Sequence, residues 1–306
     1  MNWRIKGVVQ KGLSILPGGV KINDLLQRNL GEMAQFEEHI VSKVSDWKIL
    51  VSHMTDLEVR TEGLRYLEIG TGWIPTLPIC YALSGSSSCL SFDLRRHLDS
   101  GLTFQMLNIL ESQLQNIALA NRRPLSDVRT EYDQLRQATS VDDLFRRARI
   151  EYHAPADASA TGLPSASVDV AFSNSVLEHV VPEVIARMMK ESRRILRPGG
   201  LSIHSVNCGD HYAYFDKDIT AINYLTYSSR EWKFWDNEIL YQNRLRAQDF
   251  LCLAEEAGLE IVWQKYRPRK DLMEALATLR IAPEFQKYSK DQLCSTSIDF
   301  VARKNG

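Results

Sequence analysis

Residues 65–75 read RYLEIGTGWIP, Arg65 to Pro75, and this stretch decides the fold. Tyr66 and Leu67 run as a short apolar strand into an acid, Glu68. Gly70 and Gly72 follow with Thr71 between them, and a helix can begin at Pro75. An acid followed by G-x-G at a strand-to-helix turn is a nucleotide-cradling device. The glycines let backbone approach a ligand closely, and the next helix presents its free N–H groups. The acid narrows the ligand further. A carboxylate here would repel a pyrophosphate, but it suits a ligand that carries an ammonium group.

Downstream, strands alternate with helices, the pattern of a parallel sheet. Strand two is CLSFD, ending at Asp93, and a third strand lies around 150–153. VDVAFSNS, 168–175, is strand four. The helix after it stops at Arg197-Pro198-Gly199-Gly200, and LSIHSV, 201–206, is strand five. A helix around 247–257 ends at Gly258, LEIVWQKY makes strand six, and TSIDFVARK, 296–304, is expected as a last strand at the edge. Two connections are too long to be simple loops. Residues 95–149 carry a helical stripe, Leu107, Leu110, Leu114 and Ile117, and a second helix over 141–148. Residues 207–246 are crowded with aromatic and amide side chains.

Upstream, residues 1–64 read as mainly helical, broken by Pro17-Gly18-Gly19. Ile22, Leu25, Leu26 and Leu30 recur at helical spacing, as do Ile40, Val44 and Trp47. Ile5, Val8, Val9, Leu13 and Leu16 share one helical face, away from Arg4, Lys6 and Lys11. The favoured expectation is that this face packs on the chain's own domain; contact with a membrane surface is the other reading.

The composition fits this picture. With 306 residues, 44% of them hydrophobic, the chain can bury a full core. Lys+Arg at 37 against Asp+Glu at 38 leave a net charge of -1, which gives nucleic acid no basic stripe to bind. Five scattered cysteines, with no C-x-x-C pair, argue against a disulfide frame or a zinc site and for a reducing cytoplasm. No apolar run reaches the roughly 20 residues of a spanning helix. Lys11 and Gly12 spoil the N-terminus as a signal peptide.

The ordered set LEIGTG (67–72), FD (92–93), ADASATGLPSASVDVAFSNSVLEHV (156–180) and ILRPGGLSIHSV (195–206) resembles the class I S-adenosylmethionine-dependent methyltransferases, in particular the small-molecule group. The resemblance is strong from about 66 to 206 and looser beyond. It implies an α/β fold, a doubly wound Rossmann-like seven-stranded sheet with an antiparallel last strand. A helical extension, 1–64, would precede a methyltransferase domain, 65–306, with a helical insertion at about 95–149 and a substrate-pocket segment at about 207–246. Extension and insertion would form the cap. The implied cofactor is S-adenosyl-L-methionine. Glu68 would orient its methionine end, and Gly70, Thr71 and Gly72 would meet it with backbone. Asp93, with Leu94 beside it, would accept hydrogen bonds from the ribose hydroxyls, the role of an acid at this strand end in dinucleotide folds. Asp157 and Ala158 would take the adenine, and Asn174 would lie under the transferred methyl. A dehydrogenase would need G-x-G-x-x-G, but its third glycine is Pro75 here. The family's E-x-G-x-G-x-G is also incomplete, because Ile74 replaces its last glycine.

Acceptor chemistry has weaker signals. Glu178-His179 reads either as a general base with its neighbour or as a helix brace. In some family members an acid upstream of such a pair helps to bind magnesium; Ser175 stands there, so no metal is expected. His211 is the first candidate base and His179 the second, with Asp210 as orienter. Tyr212, Trp232, Trp235, Tyr241, Asn243 and Arg244 are the candidate substrate platform, which suits a sugar-like or anionic acceptor. His204, inside strand five, reads as a satisfied core residue. The favoured reading is a cytoplasmic O-methyltransferase of a small molecule, sugar or lipid-linked saccharide. The alternatives are a partner-binding protein that keeps the fold without catalysis and a methyltransferase acting on protein. Pairing of two chains through the caps stays open.

Overall fold

A computed structural model of the chain describes residues 2–16, 35–237 and 241–306. The Pro17-Gly18-Gly19 break and the stripe of Ile22, Leu25, Leu26 and Leu30 lie outside the described residues. In chain order the main elements are α1 (Trp3–Ile15), α2 (Phe36–Asp56), β1 (Arg65–Ile69), α3 (Thr76–Leu83), β2 (Ser88–Phe92), α4 (Ser100–Leu110), α5 (Leu114–Asn121), α6 (Leu125–Arg136), α7 (Val141–Ala148) and β3 (Ile150–His153). Then come β4 (Val168–Asn174), α8 (Pro182–Ile195), β5 (Leu196–Asn207), α9 (Ser229–Trp232), α10 (Ala247–Glu256), β6 (Glu260–Lys265) and β7 (Ser297–Arg303).

The strands form one seven-stranded sheet in the order β3-β2-β1-β4-β5-β7-β6. The first five are parallel, and β7 runs antiparallel to β5 and β6. The last strand is therefore antiparallel, as expected, but it is not at the edge. Its residues say why. Ile298, Phe300, Val301 and Ala302 are all fully buried, so apolar side chains cover both faces as an interior strand requires. β6 is half-exposed along its length and takes the edge.

Alternation along the strands loads both faces. Tyr66, Cys89, Val170, Phe172, Leu201 and Ile203 face one helical layer, formed by α2 to α7. Leu67, Leu90, Ala171, Ile298 and Phe300 face α8 and α10. α2 buries Ile40, Val44, Trp47, Leu50, Val51 and Met54, a stripe at i, i+4 and i+7. Trp47 meets the Tyr81 ring edge-on at 6.1 Å, and Tyr81 stacks on Tyr66 at 4.1 Å. The insertion holds four helices, where two were expected. The signal for α6 was Val128, Tyr132 and Leu135, also at i, i+4 and i+7, all buried. These helices extend the layer on one sheet face; the expected cap over the site is not what they build.

α1 departs from expectation in its orientation. It packs through Trp3, Gly7 and Gln10, with Trp3 tilted against Trp235 at 4.7 Å and Tyr212 at 5.3 Å. Ile5, Val8, Val9 and Leu16 are each more than half exposed. The large aromatic ring of Trp3 buries more apolar area than the aliphatic stripe would, and it selects the inward face.

Trp47→Ala is expected to destabilise the fold by about 3–5 kcal/mol, since the site is walled by the sheet and cannot collapse. The measurement is the shift of the denaturant midpoint at unchanged slope. A loss below about 1 kcal/mol would show that α2 stands outside the cooperative core.

Candidate active site

β1 and β4 are neighbours, while the chain leaves them towards opposite sides of the sheet. Their carboxyl ends thus form the switch-point crevice where open α/β sheets take ligands. The glycine turn after β1 lies here. Gly70 has φ +79°, and a Cβ there would stand 2.7 Å from the Val176 side chain. Its freedom serves packing of the chain on itself. Gly72 has φ +70° and nothing within 4 Å of the position a Cβ would take, so the open cradle is at Gly72. The Gly72 amide donates to Asp93 Oδ2 at 2.8 Å, which ties the turn to the end of β2.

Glu68 is buried. Its Oε2 accepts hydrogen bonds from Thr71 Oγ1 and Ser91 Oγ, both at 2.7 Å. Burial pushes its carboxyl up to about 7, against the pull of those two hydroxyls and of the more distant Lys43. Burial also raises Asp93, with the Gly72 amide opposing. Leu94 is 71% exposed beside it, a bare apolar side chain at the strand end. Asp157 is exposed and holds the Ser159 amide at 2.8 Å, while Ala158 is buried beneath. An open glycine, an acid at each of the first two strand ends and an uncovered apolar side chain fit the ammonium, ribose and adenine of S-adenosyl-L-methionine.

Asn174 ends β4, and its Oδ1 accepts from Lys43 Nζ at 2.9 Å. Lys43 comes from α2 and was missed by sequence reasoning, because one lysine on the polar side of a helix carries no motif. Its charge acts on Glu68 and also on Glu178, so it stands between the two halves of the crevice.

Past Asn174, Ser175 adopts φ +54° and the chain turns through Leu177–His179. Glu178 is buried, burial raises its carboxyl to about 7, and its Oε2 has no hydrogen-bond partner. His179 lies on the exposed side, yet neighbours crowd its ring closely enough for desolvation to lower its pKa. His179 Nδ1 lies 2.8 Å from the Tyr241 carbonyl oxygen. A carbonyl can only accept, so Nδ1 carries the proton and Nε2 keeps its lone pair in the neutral ring. His211, after β5, brings its ring centroid to 5.1 Å from that of His179. One donor atom each from Glu178, His179 and His211 falls within 4.8 Å of the others. The expectation of no metal rested on Ser175. Spacing along the chain did not show that His211 adds a third donor beside the pair.

Several acceptor-side residues do other work than expected. Asp210 is an N-cap, accepting from the Tyr212 amide at 2.9 Å and from Asn223 at 3.1 Å, which is bracing of its own turn. Tyr212, Trp232 and Trp235 pack with Trp3 in a third core, because rings this large are worth most when buried. Arg244 donates to the carbonyls of Tyr224 and Tyr227 and lies over the Trp232 and Phe285 rings, so its donors are committed. Asn243 donates through Nδ2 to Leu177 and Val180 oxygens at 2.7 and 2.8 Å, and its amide donates to Glu178 O at 2.8 Å. Gln242 accepts from the His211 amide at 3.1 Å and donates to Gly209 O at 2.5 Å. Buried Arg246 and Tyr224 both donate to the Cys208 carbonyl. His204 is satisfied in the core by Ser173 and Ser202, as its place in strand five implied, and burial takes its pKa down to about 3.

An ammonium group of S-adenosylmethionine placed at the Glu68 end of the crevice would favour the ionised acid. Affinity should therefore rise with pH through about 7, and binding below that pH should release a proton. Calorimetry in two buffers of different ionisation enthalpy reads the proton, and Glu68→Gln should abolish it. Equal proton release by wild type and variant would remove Glu68 from that role.

Residues 127–204 match the methyltransferase-domain family. The curated proteins give no match. Among solved structures, an S-adenosylmethionine-dependent methyltransferase of Methanosarcina mazei is similar at 17% identity over 80% of this chain and 93% of that one, with a TM-score of 0.43. A putative methyltransferase of Bacillus halodurans is similar at 14% identity over 84% and 99%, with a TM-score of 0.44. One from Mesorhizobium loti stands at 16% over 82% and 96%, with a TM-score of 0.42. Likeness at this level bears on neither substrate nor site residues. The domain match lies on the segment that carries β3, β4 and most of β5, and the sheet order and glycine turn around it are those that the resemblance to class I S-adenosylmethionine-dependent methyltransferases implies.

Proposed function

We propose that the protein transfers a methyl group from S-adenosylmethionine to a hydroxyl oxygen of a small-molecule acceptor, with a saccharide or lipid-linked saccharide as the favoured class. The observation that carries this reading is the convergence of Glu178, His179 and His211 at the carboxyl edge, next to the turn that follows Asn174. The bound cofactor supplies an electrophilic methyl on a good leaving sulfide. What the protein adds is position and a place for the acceptor's proton. The lone pair on His179 Nε2, oriented through Tyr241, suits that place, and His211 stands beside it. The polar edges left here are histidine and carboxylate, which suits a hydroxyl better than a nucleobase amino group.

His211→Ala should lower single-turnover transfer of labelled methyl by about 10²–10⁴-fold while cofactor binding stays intact. A screen of saccharide and lipid-linked acceptors provides the substrate. Loss of cofactor binding together with transfer would move His211 to a structural role, and full activity would remove it from the site.

The N-terminal helix adds a surface to this reading. α1 turns Ile5, Val8, Val9 and Leu16 outward, and all its charged side chains, Arg4, Lys6 and Lys11, are basic. Lys6 lies over the Phe215 ring and Lys11 over that of Phe234, two more exposed aromatics. An apolar stripe between cations suits an anionic lipid surface. A second copy of the helix would set like charges against one another. No helix among the described residues is long and apolar enough to cross a membrane. The five cysteines are all unpaired, in keeping with residence in the reducing cytoplasm. Vesicles containing phosphatidylglycerol should co-sediment the protein, less so in high salt, and Val8→Glu should weaken this relative to wild type. Equal sedimentation of the variant would take α1 off the membrane.

A further inference from the structure

We propose that Glu178, His179 and His211 form a binding site for a divalent first-row transition ion of the zinc type, at the acceptor end of the sheet. Three independent features of the cluster lead there.

The first is the donor set. Two imidazoles and one carboxylate are the protein ligands with which zinc keeps a fourth position open, whereas magnesium and calcium take oxygen donors almost throughout. The three donor atoms lie within 4.8 Å of one another. With zinc about 2.0–2.2 Å from each ligand, two donors on one ion stand no more than about 4 Å apart. The difference that remains is under about 1 Å.

The second is the wiring behind His179. Nδ1 donates to the Tyr241 carbonyl, which fixes the ring and leaves Nε2 as the donor atom. A backbone carbonyl behind the non-ligating nitrogen is the usual support of a metal-binding histidine. Gln242 and Asn243 follow in sequence and hold the chain on either side of the cluster, His211 through its amide and Glu178 through its carbonyl. The ring of His179 and the backbones of Glu178 and His211 are thus tied to one segment, 241–243.

The third is the orphaned oxygen. Glu178 is 1% exposed, and its Oε2 has no hydrogen-bond partner. A buried carboxylate oxygen without a partner is expensive, and a structure that keeps one needs a reason. An ion between Glu178 and the two rings supplies it. Its open position would hold the acceptor oxygen and make that hydroxyl more acidic, in place of proton transfer to the His179 lone pair, a role that rests on the methyl-transfer reading above. The ion site itself does not.

The test uses the whole protein after dialysis against a chelator. Co²⁺ alone is titrated and followed by its visible d–d absorption, then displaced with Zn²⁺. Cofactor binding is measured in parallel by calorimetry. One ion per chain is expected. His179→Ala and Glu178→Gln should each weaken Co²⁺ binding by at least about tenfold while S-adenosylmethionine still binds. Absence of Co²⁺ absorption in the wild type, or Co²⁺ affinity in either variant equal to that of the wild type, overturns the site. Intact Co²⁺ binding in a protein that methylates nothing would support the ion and break the acceptor reading instead.

Discussion

Three consecutive residues, Tyr241, Gln242 and Asn243, hold the acceptor end of the crevice together. The turn after β4 and the turn after β5 are separate stretches of chain, and neither is regular enough to satisfy its own carbonyls and amides. Asn243 closes the first and Gln242 the second, while the Tyr241 carbonyl sets the ring of His179. The bonds of Gln242 and Asn243 join amide side chains to buried backbone, and that of Tyr241 joins a backbone carbonyl to an imidazole. Each is worth about 1 kcal/mol net, but a partner left unmade costs about 1–3. The bonds therefore act more by excluding other arrangements than by adding stability, and they bring Glu178, His179 and His211 together.

Electrostatics divides the crevice in two. Glu68 and Glu178 are both buried, both pushed up to about 7, and both within the field of Lys43. Only Glu68 has its Oε2 bonded to hydroxyls; that of Glu178 has no partner. The acid of β1 is thus braced by hydroxyls, while one oxygen of Glu178 is left without a hydrogen-bond partner. Lys43 reaches this position because Trp47, four residues on, is locked under Tyr81. α2 is in this sense part of the site, although it belongs to the region upstream of the glycine turn.

The donor half was legible because its chemistry is local. A strand, an acid and two glycines are written within six residues, and the acids at the ends of β1 and β2 follow from the strand pattern. The family match covers 127–204 and so leaves that glycine turn outside it. The first two helices of the insertion lie between the turn and the matched segment, which begins within α6. The acceptor half was poorly legible because its contacts join residues more than 60 positions apart, Asn243 with Leu177 and His179 with Tyr241. Tyr212, Trp232, Arg244 and Asn243 have the composition of a sugar platform and also that of a core over a polar clamp. Composition does not separate the two; direction does, and direction needs the fold. The same holds for α1. Its aliphatic stripe and Trp3 compete for the inward face, and only the presence of Tyr212, Trp232 and Trp235 opposite decides for Trp3.

This division has a consequence for how such a protein changes. The donor side is embedded in the sheet, where Gly70 is fixed by Val176 and Asp93 by the Gly72 amide, so substitution there disturbs the packing of two strands at once. The acceptor side is held by side-chain clamps on irregular chain, backed by the third core of Trp3, Tyr212, Trp232 and their neighbours. Residues of that core can be exchanged for others of similar volume at a cost usually under about 1.5 kcal/mol. Such exchange leaves the clamps on the two turns intact, so the surroundings of the Glu178–His179–His211 cluster can vary while the cluster and the glycine turn stay where they are.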